Sequence, residues 1–228
     1  MTRIPARARI GCATAVLLLL ALAGCKKTVE PEAVALLTVV SGNLQARQAG
    51  RTLKAPIGLR ATAADGTGIA NAPITLVVVQ GGGAGDAASV RTAANGEARV
   101  KWTLGPDAAQ VLTATTPGVE ALRVTATGIV PRDIVIAQGN NQSGRAGVAL
   151  ANNVVVRVLG GDNVPMDSIN VTFTIATGGG AISPQSIITN TSGEATVKWT
   201  LGPAAGANSA LVRAASIDPV TISATGTP

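Results

Sequence analysis

Apolar and polar residues alternate with a period of two over much of the chain after residue 35. The pattern is clearest in the segment EARVKWTLGP at residues 97–106, where Val100, Trp102 and Leu104 alternate with polar or charged neighbours. Successive side chains of a β-strand point to opposite faces of a sheet, so period-two alternation indicates a strand with one buried face. The segment is therefore predicted to be a half-buried strand whose tryptophan lies in a hydrophobic core.

The same segment returns at residues 194–203 as EATVKWTLGP, with Val197, Trp199 and Leu201 at the apolar positions. Residues 42–106 align with residues 139–203 at a constant offset of 97 and without a gap, and 25 of the 65 aligned positions are identical. This repeat predicts two domains that share one fold and one strand register, with one buried tryptophan in each.

Seven short apolar or alternating runs in the first repeat predict β-strands, and no stretch shows the apolar stripe of an amphipathic helix. The runs are 35–40, 57–62, 74–79, 88–92, 97–104, 110–115 and 121–127. Many short strands separated by turn signals are typical of an antiparallel β-sandwich. The strongest turn signal is Asn95-Gly96, because both residues tolerate the positive φ of a tight hairpin. We expect it to join the strand that ends near Thr92 to the tryptophan strand.

Each repeat contains three consecutive glycines after a predicted strand, at residues 81–83 and 178–180. Glycine-rich loops can cradle phosphates, but neither triplet is followed by the Lys-Ser/Thr pair and the helix of a P-loop. The triplets are interpreted as turns in which glycine permits a positive φ or close backbone packing.

The start of the chain has the pattern of a secretory signal. Residues 1–24 combine a basic first segment with an apolar run at 13–23 and small residues just before Cys25. The apolar run is too short for a typical membrane span. An ordinary signal peptide or a short membrane anchor with an incidental cysteine remains open beside the lipoprotein interpretation that follows.

The segment Leu22-Ala23-Gly24-Cys25 resembles the lipobox of bacterial lipoproteins. The resemblance implies cleavage between Gly24 and Cys25 and attachment of diacylglycerol to the sulfur of Cys25. Residues 25–34 would then be the lipidated cysteine and a short tether. The sorting rules of that family place an aspartate after the cysteine of retained inner-membrane proteins. The lysine at position 26 therefore implies the outer membrane, with the domains periplasmic or surface-exposed.

The net charge of +6 comes almost entirely from the start of the chain. Removing the five basic residues among the first 27 leaves 13 basic side chains against 12 acidic ones. With no tyrosine and only Phe173 besides the two tryptophans, the chain also lacks a platform for base stacking. These features argue against a nucleic-acid partner.

The composition also argues against an enzyme. The chain has no histidine, and no cysteine follows Cys25, so Ser-His-Asp and Cys-His mechanisms are excluded and common zinc ligands are missing. The scattered carboxylates are interpreted as solvated surface charge. Calcium is left open, because Asp133 lies at the domain junction and Asp162 and Asp167 flank a loop. Calcium prefers about six to eight oxygens, however, and no dense acidic loop supplies them. No cofactor and no small-molecule ligand are expected.

The repeated motif resembles bacterial Ig-like domains of the invasin and intimin type. The residues that carry the resemblance are the GGGA turn, the Asn95-Gly96 or Ser192-Gly193 turn before E-A-x-V-K-W-T-L-G-P, and the apolar closing strand. The resemblance implies two tandem Ig-like β-sandwiches, at residues 35–129 and 130–228, with little flexible linker between them. Fold does not fix function, so the adhesive role of that family does not transfer with the motif.

Two functional hypotheses follow from the sequence. The first is a non-enzymatic, lipid-anchored envelope protein that serves as a spacer and protein-interaction module, accessory to an envelope or membrane complex. The alternative is a surface adhesin that binds host, matrix or neighbouring-cell polymers.

Overall fold

The computed structural model describes residues 33–228. The predicted signal peptide, the lipidation site at Cys25 and nearly all of the tether lie outside the described residues. The described part of the chain consists of β-strands and a short 3-10 turn at Gly161–Asn163. It contains no helix that is both long and apolar enough to cross a membrane.

Ten strands build the first sandwich. They are β1 Leu36–Ser41, β2 Gln45–Gln48, β3 Ile57–Thr62, β4 Pro73–Gln80, β5 Gly83–Gly85, β6 Ser89–Arg91, β7 Glu97–Val100, β8 Trp102–Leu104, β9 Ala109–Thr115 and β10 Leu122–Ile129. One sheet has the order β1-β3-β7, and β8, which follows β7, pairs with β5. The facing sheet has the order β2-β10-β9-β4-β6.

Nine strands build the second sandwich. They are β11 Pro131–Gln138, β12 Gln142–Arg145, β13 Val154–Gly160, β14 Asn170–Thr177, β15 Gly180–Ser183, β16 Ser186–Ile188, β17 Glu194–Leu201, β18 Gly206–Ala214 and β19 Val220–Thr227. The two sheets have the orders β11-β13-β17-β15 and β12-β19-β18-β14-β16.

The first strand region of each sandwich is divided between the two sheets. β1 pairs antiparallel with β3, whereas β2 pairs in parallel with β10 in the facing sheet. The second sandwich repeats this arrangement, with β11 on β13 and β12 parallel to β19. The remaining strand pairs are antiparallel. The prediction of an all-β fold with two tandem Ig-like sandwiches is confirmed.

Several residues that are identical in the two repeats make the same hydrogen bonds in both sandwiches. Thr92 Oγ1 donates to the carbonyl of Ile69 at 2.6 Å, and Thr189 Oγ1 donates to the carbonyl of Met166 at 2.7 Å. The repeated side chains therefore fix turns and strand ends, which explains why the two strand registers match. The same holds for the pairs Asn43 and Asn140, and Gln45 and Gln142.

Each sandwich encloses one hydrophobic core around a tryptophan. Trp102 and Trp199 are 0% exposed. The neighbours on the same strand face are also buried, namely Val100, Leu104, Val197 and Leu201. Within residues 33–228 neither indole N–H has a hydrogen-bond partner. The two tryptophans therefore act through packing and buried apolar area rather than through a hydrogen bond.

The glycine triplets are turns that pack against the end of the tryptophan strand. All six glycines have a positive φ, between 74° and 86°. A Cβ on Gly105 would overlap the carbonyl oxygen of Gly81. The buried amide of Gln110 accepts a hydrogen bond from the N–H of Gly105 at 3.1 Å and donates to the same Gly81 carbonyl at 3.2 Å. Asn208 accepts the equivalent N–H bond in the second sandwich at 3.1 Å.

Two short strands of the first sandwich carry no hydrophobic alternation and were not predicted. β2 has the sequence Gln-Ala-Arg-Gln, and β5 has the sequence Gly-Ala-Gly. Both lie at sheet edges and bury few side chains, so packing leaves no periodic signal in their sequences. Their positions are set by pairing with β10 and β8.

The turn at Asn95-Gly96 is not a hairpin, and that prediction is wrong. It follows β6 and precedes β7, as expected, but β6 pairs with β4 while β7 pairs with β3 in the facing sheet. Of the two residues only Gly96 has a positive φ, of 78°. The Asn95 side chain instead accepts a hydrogen bond from the N–H of Glu97 at 3.0 Å. The dipeptide therefore turns the chain from one sheet to the other.

Candidate functional site

The junction between the two sandwiches contains almost no free chain. β10 ends at Ile129 and β11 begins at Pro131, so Val130 is the one residue between them. Ile129 belongs to a strand of the first sandwich, yet it packs against the core of the second. Proline also restricts the backbone at the start of β11. The two sandwiches are therefore joined with almost no flexible linker, as the sequence predicts.

A set of polar contacts, which we call the junction latch, joins the two sandwiches. Arg51 Nη2 donates to Asp167 Oδ2 at 2.5 Å and to Ser168 Oγ at 2.9 Å. Gln48 Nε2 donates to the backbone carbonyl of Asp167 at 2.7 Å. The latch therefore consists of Gln48 and Arg51 from the first sandwich and Asp167 and Ser168 from the second.

The latch is a weak contributor to stability but a specific constraint on orientation. The side chains of Arg51 and Asp167 are 42% and 34% exposed, respectively. An ion pair exposed to this degree contributes about 0–1 kcal/mol to the free energy of unfolding, because water and salt screen it. Its three hydrogen bonds nevertheless tie two side chains of one sandwich to adjacent residues of the other.

The latch occurs at this junction and is not part of the repeated pattern. At the offset of 97, Arg51 corresponds to Val148 and Asp167 corresponds to Ala70. The two repeats therefore differ at the residues that join the sandwiches.

Two clefts flank the junction. The first, which we call the basic cleft, has a volume of about 330 Å³ and is lined by Ala46, Arg47, Gln48, Arg51, Lys54, Ile129, Val164, Pro165 and Asp167. The second has a volume of about 340 Å³ and a more apolar lining that includes Ala108, Ile129, Val130 and Pro131. The basic cleft presents three cationic side chains and one carboxylate, so its charge is unbalanced.

The carboxylates that were considered for calcium are not brought together. Asp167 is engaged by the latch, and Asp133 lies 3.9 Å from Arg132 in an exposed pair. Asp162 lies in the 3-10 turn with a positive φ of 56°. In the part of the chain that the structure describes, no group of three or more His, Cys, Asp or Glu side chains is placed to hold a metal ion.

Asp65 closes an exposed turn of the first sandwich. The N–H and the hydroxyl of Thr67 both donate to its carboxylate at 2.8 Å. The backbone hydrogen bond first, and the hydroxyl second, favour the charged form and lower the pKa of Asp65 from its ordinary value. This carboxylate therefore shapes a loop, and its solvated position gives it no feature of a catalytic acid.

Sequence reasoning identified the core tryptophans but missed the latch. A signal for the latch was present, because Arg51 and Asp167 stand where the other repeat has small or apolar residues. A charged residue that has an uncharged counterpart in the other repeat was therefore a signal for a contact outside the common fold. Only the structure shows that Arg51 and Asp167, which are 116 residues apart in sequence, meet.

No protein-family model matches the chain, and no curated protein matches its sequence. Among solved structures, the chain is similar to the D0-D1 domain of intimin, with 23% sequence identity, a TM-score of 0.35 and coverage of 86% of this chain and 99% of that one.

The chain is also similar to the adhesin InvE of Yersinia pseudotuberculosis, with 16% identity, a TM-score of 0.44 and coverage of 84% of this chain and 59% of that one. For invasin, described as a bacterial integrin-binding protein, the values are 20% identity, a TM-score of 0.44 and coverage of 85% and 40%. These are proteins of the type that the repeated motif resembles. The strand order and register of the chain itself identify it as a tandem of two Ig-like β-sandwiches.

Proposed function

We propose that the chain is a non-enzymatic, lipid-anchored protein of the cell envelope. In this proposal Cys25 carries the lipid, and the Ig-like domains at residues 35–129 and 130–228 form a spacer and protein-interaction module. The module is accessory to an envelope or membrane complex.

The observation that carries this proposal is the latched junction with its single linking residue, Val130. A spacer has to hold its two ends at a defined separation, and a flexible linker between domains would defeat that purpose. The latch and the short linker supply a defined geometry. The tether, which ends at residue 34, would reach only about 30 Å when extended, so the module would work close to the membrane.

The chemistry of the chain supports the same proposal. The sequence has no histidine, and the described residues place no metal-binding cluster. A binding or spacing role needs neither group. Sheet edges, such as the outer edge of β11, offer backbone groups to a partner strand.

Protease treatment of intact and lysed cells, followed by mass spectrometry of the chain, tests the proposal. The accessory role predicts that the chain fractionates with the outer membrane and that its domains are cut only after lysis. Cleavage on intact cells would instead support the surface adhesin and reject an accessory role inside the envelope.

A pair of cysteine variants controls for the anchor. Mass spectrometry of the amino-terminal peptide is expected to show the lipid on the unsubstituted chain and no lipid on Cys25→Ser, because the sulfur that would carry it is gone. Cys12→Ser is the matched control and leaves the lipid in place, since that residue lies in the predicted signal. An unsubstituted chain without lipid at Cys25 would overturn the lipid anchor.

A further inference from the structure

The basic cleft has a chemistry that the spacer role does not require. Three cations, Arg47, Arg51 and Lys54, line a cavity of about 330 Å³ whose one acidic side chain is Asp167. Arg51 donates to that carboxylate through Nη2. Within residues 33–228, no ion pair or side-chain hydrogen bond involves the remaining nitrogens of Arg51, or any side-chain nitrogen of Arg47 and Lys54.

The three cations of this cleft are not required by the Ig-like fold. At the offset of 97, the positions of Arg47, Arg51 and Lys54 are occupied by glycine, valine and alanine in the second sandwich, at residues 144, 148 and 151. Arg47 lies in β2 and Gly144 lies in β12, and these two strands begin and end at equivalent positions of the repeat. The two residues are therefore structurally equivalent. The sandwich therefore folds without these three charges, and the latch needs only one of them.

The donors suit an oxyanion better than an apolar ligand. Guanidinium groups present a planar fork of N–H donors that matches the oxygens of phosphates and carboxylates, and an ammonium group adds a point charge. A phosphate group offers several acceptor oxygens, which the three cations that line the cleft can share. The cavity lies at the lower end of the volumes of small-ligand sites, roughly 300–1,000 Å³.

We propose that the basic cleft is a binding site for a phosphate group, held by Arg47, Lys54 and the unused donors of Arg51. The phosphate can be free, or it can be part of a glycerophosphodiester such as a lipid headgroup. Because Arg51 belongs to both the latch and the cleft, a phosphate bound there contacts the residue that fixes the two sandwiches. This site does not depend on the lipid anchor or on the accessory role proposed above.

The test is a titration of the full chain in a non-ionic, phosphate-free detergent, followed by the ³¹P line width of the added probe. The probes are inorganic phosphate and glycerophosphoglycerol, used separately. Saturable broadening with either probe is expected, and the probe with the higher affinity identifies the source of the phosphate. The proposal would be overturned if neither probe showed saturable broadening.

The variant Arg47→Ala/Lys54→Ala removes two cations of the cleft and leaves the latch in place. Its affinity for the probe is expected to fall at least about tenfold, because two charge-assisted contacts are lost. Lys198→Ala/Arg213→Ala is the matched control, since it removes the same charge from exposed positions of the second sandwich. Equal losses in the two variants would show general charge attraction and would reject the site.

Discussion

Replacing Trp199 by alanine is expected to lower the free energy of unfolding of the second sandwich by about 3–5 kcal/mol. The side chain is 0% exposed and lies in the centre of its core, so its removal loses buried apolar area and leaves a cavity. A loss of this size is a large part of the stability of one small domain. Trp199→Phe should cost less, because it retains a ring and the indole N–H has no partner in the described residues.

Urea unfolding followed by circular dichroism measures this loss. In Trp199→Ala the remaining tryptophan, Trp102, reports on the first sandwich by fluorescence, so the two unfolding transitions can be assigned. Thr196→Ala is the matched control, because it changes an exposed residue on the same strand and should stay within about 0.5 kcal/mol of the unsubstituted chain. A loss below about 1 kcal/mol for Trp199→Ala would contradict its place in the core.

Replacing Gly180 by alanine is expected to lower the free energy of unfolding of the second sandwich by about 3 kcal/mol. Two effects add. Its φ of +86° is unfavourable for any residue with a Cβ, at about 1 kcal/mol or more. A Cβ there would also overlap the backbone carbonyl of Thr200, and overpacking of this kind costs a further 1–3 kcal/mol, roughly.

Gly147→Ala separates these two effects. Gly147 has a similar φ of +74°, but no heavy atom lies within 4 Å of the position of its Cβ. It should therefore lose only the conformational part, about 1 kcal/mol. The measurement is the urea midpoint of the second sandwich in both variants. Equal losses would show that the glycine triplet is not packed against the tryptophan strand.

The sequence pattern predicted the strands that bury side chains. It did not predict the short strands whose positions are set by backbone pairing alone. β3 begins and ends where the alternation does, at Ile57 and Thr62. β2 and β5 were missed because their pairing with neighbouring strands needs no apolar side chain. The turn at Asn95-Gly96 was located correctly but assigned to a hairpin, since local turn chemistry does not show which sheet the next strand joins.

The junction was the least predictable part of the molecule. Ion pairs between residues distant in sequence depend on how two folded surfaces meet. The alternation of apolar and polar residues along the chain does not predict how those surfaces meet. The glycine triplets show the opposite case. Their interpretation as turns followed from local chemistry alone, and the positive φ of all six residues agrees with it.

The spacer function requires that the short linker and the latch hold the two sandwiches in one relative orientation. Pulsed electron paramagnetic resonance between spin labels at Lys101→Cys and Lys198→Cys measures this directly. Both positions are exposed and equivalent in the two repeats, and Cys12 and Cys25 are replaced by serine to remove other labels.

We expect a single narrow distance distribution that broadens in Arg51→Ala. It should stay narrow in Arg157→Ala, which removes an ion pair of the same 2.5 Å length within the second sandwich. A broad distribution in the chain with an intact latch would contradict a fixed junction and with it the spacer function. No change on removing Arg51 would show that the latch does not contribute to fixing the junction.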